Sequence, residues 1–442
     1  MKKILYALFI CILANSGVFA NDNKIEFTEF DLDNGLHVIL HQDNSTPIVA
    51  VSILYHVGSK NEDPERTGFA HFFEHLLFEG SENIERGQFD KLLTAAGAYM
   101  NANTSFDRTF YFEILPSNQL ELGLYLESER LMHAKIDQIG VDTQREVVKE
   151  ERRQSVDNQP YGTILIETLK RAYQVHPYRW PIIGSMEHLN QASLEEFMDF
   201  YTKFYVPQNA TISIAGDIDV EATKKLVALY FNDIPKGKSD IPPVTEVEPP
   251  QKKEIRDIIY DNIQLPAVIQ AYHMPAQGTG DYYAMDLLTN LLAGGQSSRF
   301  YKEIVDNQQT AIQVGAFPIP MEDPGLFLTY GFANMGKDPK ILEQSMDAEI
   351  QRVKDELVSE REFQKVKNQI ENDFISGNAT VAGIAESLAD YHVYYGDANL
   401  INTEIDRYMK VTREDLVKVA KQYLTAENRV VLYYMPKNQE SN

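Results

Sequence analysis

One helix, break and strand pattern occurs twice in the chain, and it limits the folds available more than any other feature. Residues 193–217, SLEEFMDFYTKFYVPQNATISIAGD, read as an acidic-started amphipathic helix, a break and an alternating strand. Residues 412–436, TREDLVKVAKQYLTAENRVVLYYMP, repeat that order, with Asn428 standing where Asn209 stood. Between the copies, residues 236–254, KGKSDIPPVTEVEPPQKKE, combine four prolines and mixed charge with no apolar period, which is the composition of a linker. Each half mixes period-2 strands, such as His37 to His41 and Thr109 to Leu115, with helices such as Ile341 to Leu357. The expected fold is therefore α+β: two homologous α/β-sandwich halves, 21–235 and 255–442, each a largely antiparallel sheet packed with helices.

The start of the chain, MKKILYALFICILANSGVFA, has a Lys2-Lys3 head, an apolar run from Ile4 to Leu13 and a small-residue end. It reads as a secretory signal peptide, residues 1–20, cut after Ala20, since the run is shorter than the roughly 18 residues of a spanning helix. Export to the periplasm of a Gram-negative bacterium, or beyond it, is the expectation. The only cysteine, Cys11, falls in this segment, so any metal site further on must be built from nitrogen and oxygen ligands. The formal charge of −24 disfavours nucleic acid and anionic lipid as partners.

The two copies differ where chemistry concentrates. FAHFFEHLLFEGS, residues 69–81, can be laid on YAMDLLTNLLAGGQS by matching Leu76-Leu77 with Leu291-Leu292. His71, Glu74 and His75 then fall on Asp286, Thr289 and Asn290, so only the first copy carries the chemical residues. On a helix, Phe69, Phe72, Phe73, Leu76 and Leu77 form one apolar stripe, and His71, Glu74 and His75 point away from it. Imidazoles at i and i+4 stand about 5–6 Å apart at Cβ and can share one zinc ion at about 2.0–2.1 Å each. Glu74 faces the same space and is placed to take the proton of an attacking water. The competing reading is a solvated polar face.

A third protein ligand has to come from elsewhere. In DTQREVVKEERRQS, residues 142–155, Val147 and Val148 are the apolar positions and Glu151 shares their face, whereas Glu150 projects roughly 110° away. A carboxylate on an inward face needs a cation or a hydrogen-bonding partner. Zinc would serve, and the competing partner is Arg108 or Arg145.

H-x-x-E-H followed by this glutamate resembles the pitrilysin-type inverzincin family of zinc peptidases, and within it the mitochondrial processing peptidase branch and its bacterial relatives. NGLHVILHQD, HVGSKNEDPERTGFAHFFEHLLFEGS, NANTSFDRTFYFEILP, REVVKEERR and HPYRWPIIGSMEHL resemble that family's segments in order. The resemblance implies His71, His75 and Glu151 as ligands of one zinc per chain, with Glu74 as general base. It also implies that Asn101 and Ala102 lie on an edge strand where an extended substrate adds by β-pairing. Two departures stand out. Gln144 occupies the position, one heptad before Glu151, where family members commonly carry a supporting glutamate. In EIVDNQQTAIQV, the positions where self-sufficient relatives carry a substrate-holding arginine and tyrosine are Val305 and Ile312, neither of which can donate a hydrogen bond from its side chain.

LLAGGQSSRF lacks the lysine of a phosphate-binding loop and reads as a helix end and turn. No Ser-His-Asp elbow is visible. The sequence thus points to a zinc-dependent endopeptidase for extended peptides or unfolded segments, acting as the catalytic subunit of a heterodimer whose homologous partner supplies Arg and Tyr. The rivals are a peptide-binding scaffold that keeps the zinc site, and a zinc store, against which the lack of His-rich tracts argues.

Overall fold

A computed structural model of the chain describes residues 24–437; the signal-peptide reading of residues 1–20, with Cys11, lies outside the described residues. No described helix is long and apolar enough to cross a membrane. The first half of the chain supplies strands β1 (Thr28–Asp31), β2 (His37–Gln42), β3 (Ile48–Tyr55), β4 (Tyr99–Thr104), β5 (Thr109–Pro116) and β6 (Ala210–Gly216). Its helices are α1 (Phe69–Leu76), α2 (Gln88–Ala96), α3 (Leu120–Met132), α4 (Gln138–Arg152), α5 (Ile164–Ala172), α6 (Met186–Gln191), α7 (Leu194–Phe204) and α8 (Val220–Phe231). The second half supplies β7 (Ile255–Asp261), β8 (Ala267–His273), β9 (Ala311–Ile319), β10 (Leu326–Ala333) and β11 (Arg429–Pro436). With them come α9 (Gly280–Ala293), α10 (Pro339–Asp355), α11 (Glu360–Gly377), α12 (Val381–Tyr395), α13 (Leu400–Lys410) and α14 (Arg413–Tyr423).

The strands form two sheets, β1-β2-β6-β3-β5-β4 and β7-β11-β8-β10-β9. Apart from β1, the second order repeats the first. The one parallel pair among the described strands of each sheet falls at the same place, β2 with β6 and β7 with β11, and the rest is antiparallel. The repeated sequence segment forms α7 and β6 in one copy and α14 and β11 in the other. Both helices open with a capping box, Ser193 with Glu196 and Thr412 with Asp415, which satisfies N–H groups that a helix start leaves free. Asn209 donates from its side-chain amide to the carbonyls of Phe204 (2.9 Å) and His56 (3.3 Å). Asn428 donates to those of Tyr423 (2.7 Å) and His273 (2.8 Å), so the two asparagines tie the same helix end to the same strand end.

The strands depart from simple alternation. β3 (IVAVSILY) and β6 (ATISIAG) are buried on both faces, and β2 nearly so. Val51, Ile53, Ile212 and Ile214 point into the core of the first half. Ile39, Ala50 and Ala215, on the opposite face, are covered by Ile384, Ala385 and Leu388 of α12, a helix of the second half. The exchange is reciprocal: Leu169 and Ala172 of α5, from the first half, pack on Ile269, Ala271 and Leu432 of the second sheet. Polar contacts follow the same seam. Arg108 pairs with Glu386 and Asp390 of α12, and Lys60 with Asp107 (2.9 Å) and with Glu322. Residues 236–254 form no helix or strand. They are nonetheless fastened, because the Glu248 carboxylate accepts from the N–H groups of Gln174, Val175 and His176 at 2.9–3.0 Å.

Candidate metal centre and active site

Helix α1 carries its aromatic stripe inward. Phe69, Phe72, Phe73, Leu76 and Leu77 are buried, with Phe69 stacked on Phe197 and Phe73 on Phe200. The helix begins at Gly68, whose φ of 97° belongs to the left-handed region and whose Cβ position would fall 3.0 Å from the Gly184 Cα, so a side chain there meets backbone. Both ends of α1 are held by buried residues with ionisable side chains. The Glu62 carboxylate accepts from the N–H groups of Gly68 (2.8 Å) and Ala70 (2.9 Å) at the positive end of the helix dipole. At the other end Arg130 donates to the Leu77 carbonyl (2.9 Å), while Tyr111 donates to that of Phe73 (3.0 Å). Arg130 is itself balanced by Glu127 (3.1 Å) and Glu113 (3.4 Å).

On the opposite face of α1, His71 and His75 meet Glu151 of α4. His71 Nε2 lies 3.6 Å from Glu151 Oε1, and His75 Nε2 lies 3.1 Å from Glu151 Oε2. The imidazole centroids are 4.8 Å apart, and one ligand atom from each of the three residues falls within 4.8 Å of the others. Ligands of a tetrahedral zinc at about 2.0–2.1 Å stand about 3.3 Å from one another, so these separations fit one ion. Burial and the nearby His75 push the His71 imidazole down to about 4. The ring is therefore neutral, the form that ligates metal. The Glu151 carboxyl is held below the ordinary carboxylate range chiefly by its hydrogen bond from His75, which outweighs the burial that would raise it.

Glu74, next to His75, accepts a hydrogen bond from Thr104 at the end of β4 (2.7 Å). Burial raises its carboxyl, and the Thr104 bond and His75 pull it the other way. A carboxylate whose basicity is raised by burial is better matched to proton transfer near neutral pH than an exposed one.

The remaining sequence expectations divide. Glu151 is not paired with either arginine: Arg108 goes to α12, and Arg145 to Asp142 (2.6 Å) and the carbonyls of Leu189 (2.9 Å) and Ala192 (2.8 Å). Glu150 turns away to Arg153 and Gln154 (both 3.0 Å). The inward face of α4 needs correction. Val148 is fully buried but Val147 is 44% exposed, because α4 seats on Val141 and Val148, two turns apart on one side of the helix. Gln144 donates to Glu79, which also pairs with Arg86, and has no hydrogen bond to the two histidines or to Glu151. Asn101 and Ala102 lie on β4, which among the described residues pairs only with β5 and is the edge of the first sheet. The Ala102 N–H is bonded to the Asn101 side chain (3.0 Å) rather than to β5, so it points to the open edge. Val305 lies in the helical turn Tyr301–Asn307 and Ile312, exposed, near the start of the edge strand β9. At Asp286, Thr289 and Asn290, α9 offers no equivalent metal group. The Asp286 carboxylate instead accepts from Tyr408 (2.8 Å). Glu62, Arg130 and Thr104 escaped the sequence reading. An arginine inside the apolar pattern of α3 is the only local signal for any of them.

Comparison with known proteins gives a consistent result. Residues 37–185 match the family described as insulinase (peptidase family M16), and residues 191–370 the peptidase M16 inactive domain. The zinc protease PqqE of Helicobacter pylori is 30% identical to this chain over 408 residues, 92% of each. An uncharacterized zinc protease of Rickettsia bellii is 23% identical, over 91% of this chain and 96% of its own. Among solved structures, a protease from Helicobacter pylori matches with a TM-score of 0.89 at 29% identity, over 93% of this chain and 100% of that one. The periplasmic protease PqqL of Escherichia coli matches with a TM-score of 0.77 at 18% identity, over 92% of this chain and 47% of that one, a likeness of fold.

Proposed function

This chain belongs to the M16 peptidase family, and from that premise we propose that it is a zinc-dependent endopeptidase acting on extended peptides or unfolded protein segments. The observation that carries the reading is the convergence of His71, His75 and Glu151 with Glu74 beside them. His71, His75 and Glu151 would hold the ion. When bound, zinc supplies a Lewis acid that polarises the scissile carbonyl and lowers the pKa of water. Glu74 takes the proton from the water that attacks the carbonyl carbon and delivers it to the leaving amine as the C–N bond breaks. Thr104 fixes the Glu74 carboxylate, and the open edge at Asn101 and Ala102 pairs with the substrate backbone, which selects chains that are already extended.

The test is Glu74→Gln set against His71→Ala. The first is expected to retain zinc and lose about 10²–10⁴-fold in cleavage, since only the base is gone; the second is expected to lose the metal. A Glu74→Gln protein that cleaves normally overturns the mechanism.

A finer reading follows from Val305 and Ile312. The resemblance to the mitochondrial processing peptidase branch would place a substrate-holding arginine and tyrosine there, and this chain has neither. It is then the catalytic subunit of a heterodimer, exported to the periplasm, whose homologous partner brings both residues. Cleavage by the chain alone should rise on addition of that partner and fall again when the partner's arginine and tyrosine are replaced. Full activity alone, unchanged by the partner, rejects this finer reading and leaves the peptidase assignment standing.

A further inference from the structure

A second convergence of metal-binding groups lies at the far edge of the first sheet from β4. Asp31 of β1 is directly opposite His37 of β2, and Glu29, two residues earlier, shares its face. Against that face α12 brings His392, whose ring stacks on His37 with centroids 3.4 Å apart and planes 5° from parallel. His37 Nδ1 is 2.7 Å from Asp31 Oδ1. The carboxylate can only accept, so Nδ1 carries a proton and Nε2 is the nitrogen left to face Glu29. That Nε2 is buried without a hydrogen-bond partner, 3.4 Å from Glu29 Oε2. One ligand atom each of Glu29, His37 and His392 lies within 4.8 Å of the others.

We infer that Glu29, His37 and His392 form a second divalent-metal site, of the zinc class, that staples α12 of the second half to β1 and β2 of the first. With Nδ1 of His37 engaged by Asp31, one carboxylate and two imidazoles that can each offer a ligand atom come together at one small space, where a cation would be attracted by the Glu29 charge and held by all three. The donor set of two imidazoles and a carboxylate is one that zinc accepts, with water completing the coordination beside the half-exposed Glu29. Asp31, bonded to the other nitrogen of His37, is the carboxylate that orients a metal-binding imidazole and raises its basicity. Stacked rings aim their lone pairs side by side, so His392 swings out of the stack as the ion enters. The group is separate from His71, His75 and Glu151, which sit on α1 and α4. Its role is mechanical, because the same helix α12 carries the Glu386 and Asp390 that hold Arg108.

The experiment is equilibrium dialysis of the full chain against Zn²⁺ with metal analysis, together with thermal unfolding with and without the ion. The unaltered chain is expected to bind two zinc ions and to unfold at a higher temperature with zinc. His392→Gln and His37→Gln should each bind one and lose part of that rise, while cleavage by the loaded protein persists. A His71→Ala/His75→Ala chain should still bind one ion, with affinity falling about 10–100-fold on adding Asp31→Asn. A count of one in the unaltered chain that stays at one in His392→Gln overturns the inference, as does a count of two that His37→Gln and His392→Gln leave intact. Neither result bears on the peptidase reading, which is judged by Glu74→Gln.

Discussion

Replacing Glu62 by alanine is expected to loosen the helix that carries His71, Glu74 and His75 without touching any of the three. The Glu62 carboxylate is the acceptor for two N–H groups of the first turn of α1, Gly68 (2.8 Å) and Ala70 (2.9 Å), and all three residues are buried. Alanine removes both acceptors and leaves two donors out of reach of water. At about 1–3 kcal/mol for each buried unsatisfied group, the cost is about 2–6 kcal/mol. Glu62→Gln keeps one acceptor oxygen and turns an amide N–H₂ toward the other donor, so its cost is about half. Because α1 holds two of the three proposed ligands, a shift of its first turn displaces His71 relative to Glu151, and zinc affinity should fall about 10–100-fold, as for loss of other supporting contacts around a metal. The assay is competition for Zn²⁺ against a chelator, read beside urea unfolding followed by circular dichroism. Loss of affinity and stability in the order alanine, then glutamine, then unaltered chain supports the reasoning. An alanine variant that matches the unaltered chain in both refutes it, since the carboxylate would then not be what holds the helix.

Three further outcomes follow from the geometry. Proline at Ala102 removes the N–H that faces the open edge of β4, so KM for an extended peptide should rise while zinc content stays unchanged; an unaltered KM rules out β-pairing at this strand. In Glu322, burial opposes ionisation, but the hydrogen bond and charge of His56 and Lys60 outweigh it and hold the carboxyl at about 2, against 4.5 for the free group. A depressed acid stabilises the fold above the unfolded value and loses that contribution as pH falls through the folded one. Glu322→Gln should therefore cost about 2–3 kcal/mol near neutrality and flatten the loss of stability between pH 4.5 and 2, and a slope that survives the substitution denies this pair its role. Arg130→Leu strands Glu113 and Glu127 in the core and should destabilise by about 3–5 kcal/mol in urea unfolding; a loss below about 1 kcal/mol means the triad is not what balances those carboxylates.

The parts of this molecule that the sequence disclosed are those encoded within one element. The spacing of Phe69, Phe72, Phe73, Leu76 and Leu77 sets which way α1 faces, and that alone aims His71, Glu74 and His75 at one space. The duplication was equally legible, because Asn209 and Asn428 make the same local bonds in both copies. Glu151 was found by a face argument of which only half survives, since Val148 seats α4 and Val147 does not. Contacts between distant segments were out of reach. Nothing near Glu62 or Thr104 in the sequence indicates that one caps α1 and the other bonds Glu74, because both roles depend on how loops and strands return to that helix. The burial of β3 and β6 on both faces was hidden for the same reason: their second cover is α12, well over a hundred residues away in the chain.

That exchange of helices gives the second half a part in shaping the candidate site although it carries no equivalent of H-x-x-E-H. Separating the halves at residues 236–254 would uncover Ile39, Ala50 and Ala215 on one sheet and Ile269, Ala271 and Leu432 on the other, so neither sheet keeps both of its covers alone. The dependence reaches the candidate site along one route. Glu386 and Asp390 of α12 fix Arg108; Arg108 donates to the Asn103 side chain of β4 (3.4 Å); and the next residue, Thr104, holds Glu74. The edge strand proposed to receive substrate and the carboxylate proposed to move the proton are thus positioned from the same side, by a helix of the other copy. The half without an equivalent of H-x-x-E-H is needed because the half that carries His71, His75 and Glu151 lacks a complete fold without it.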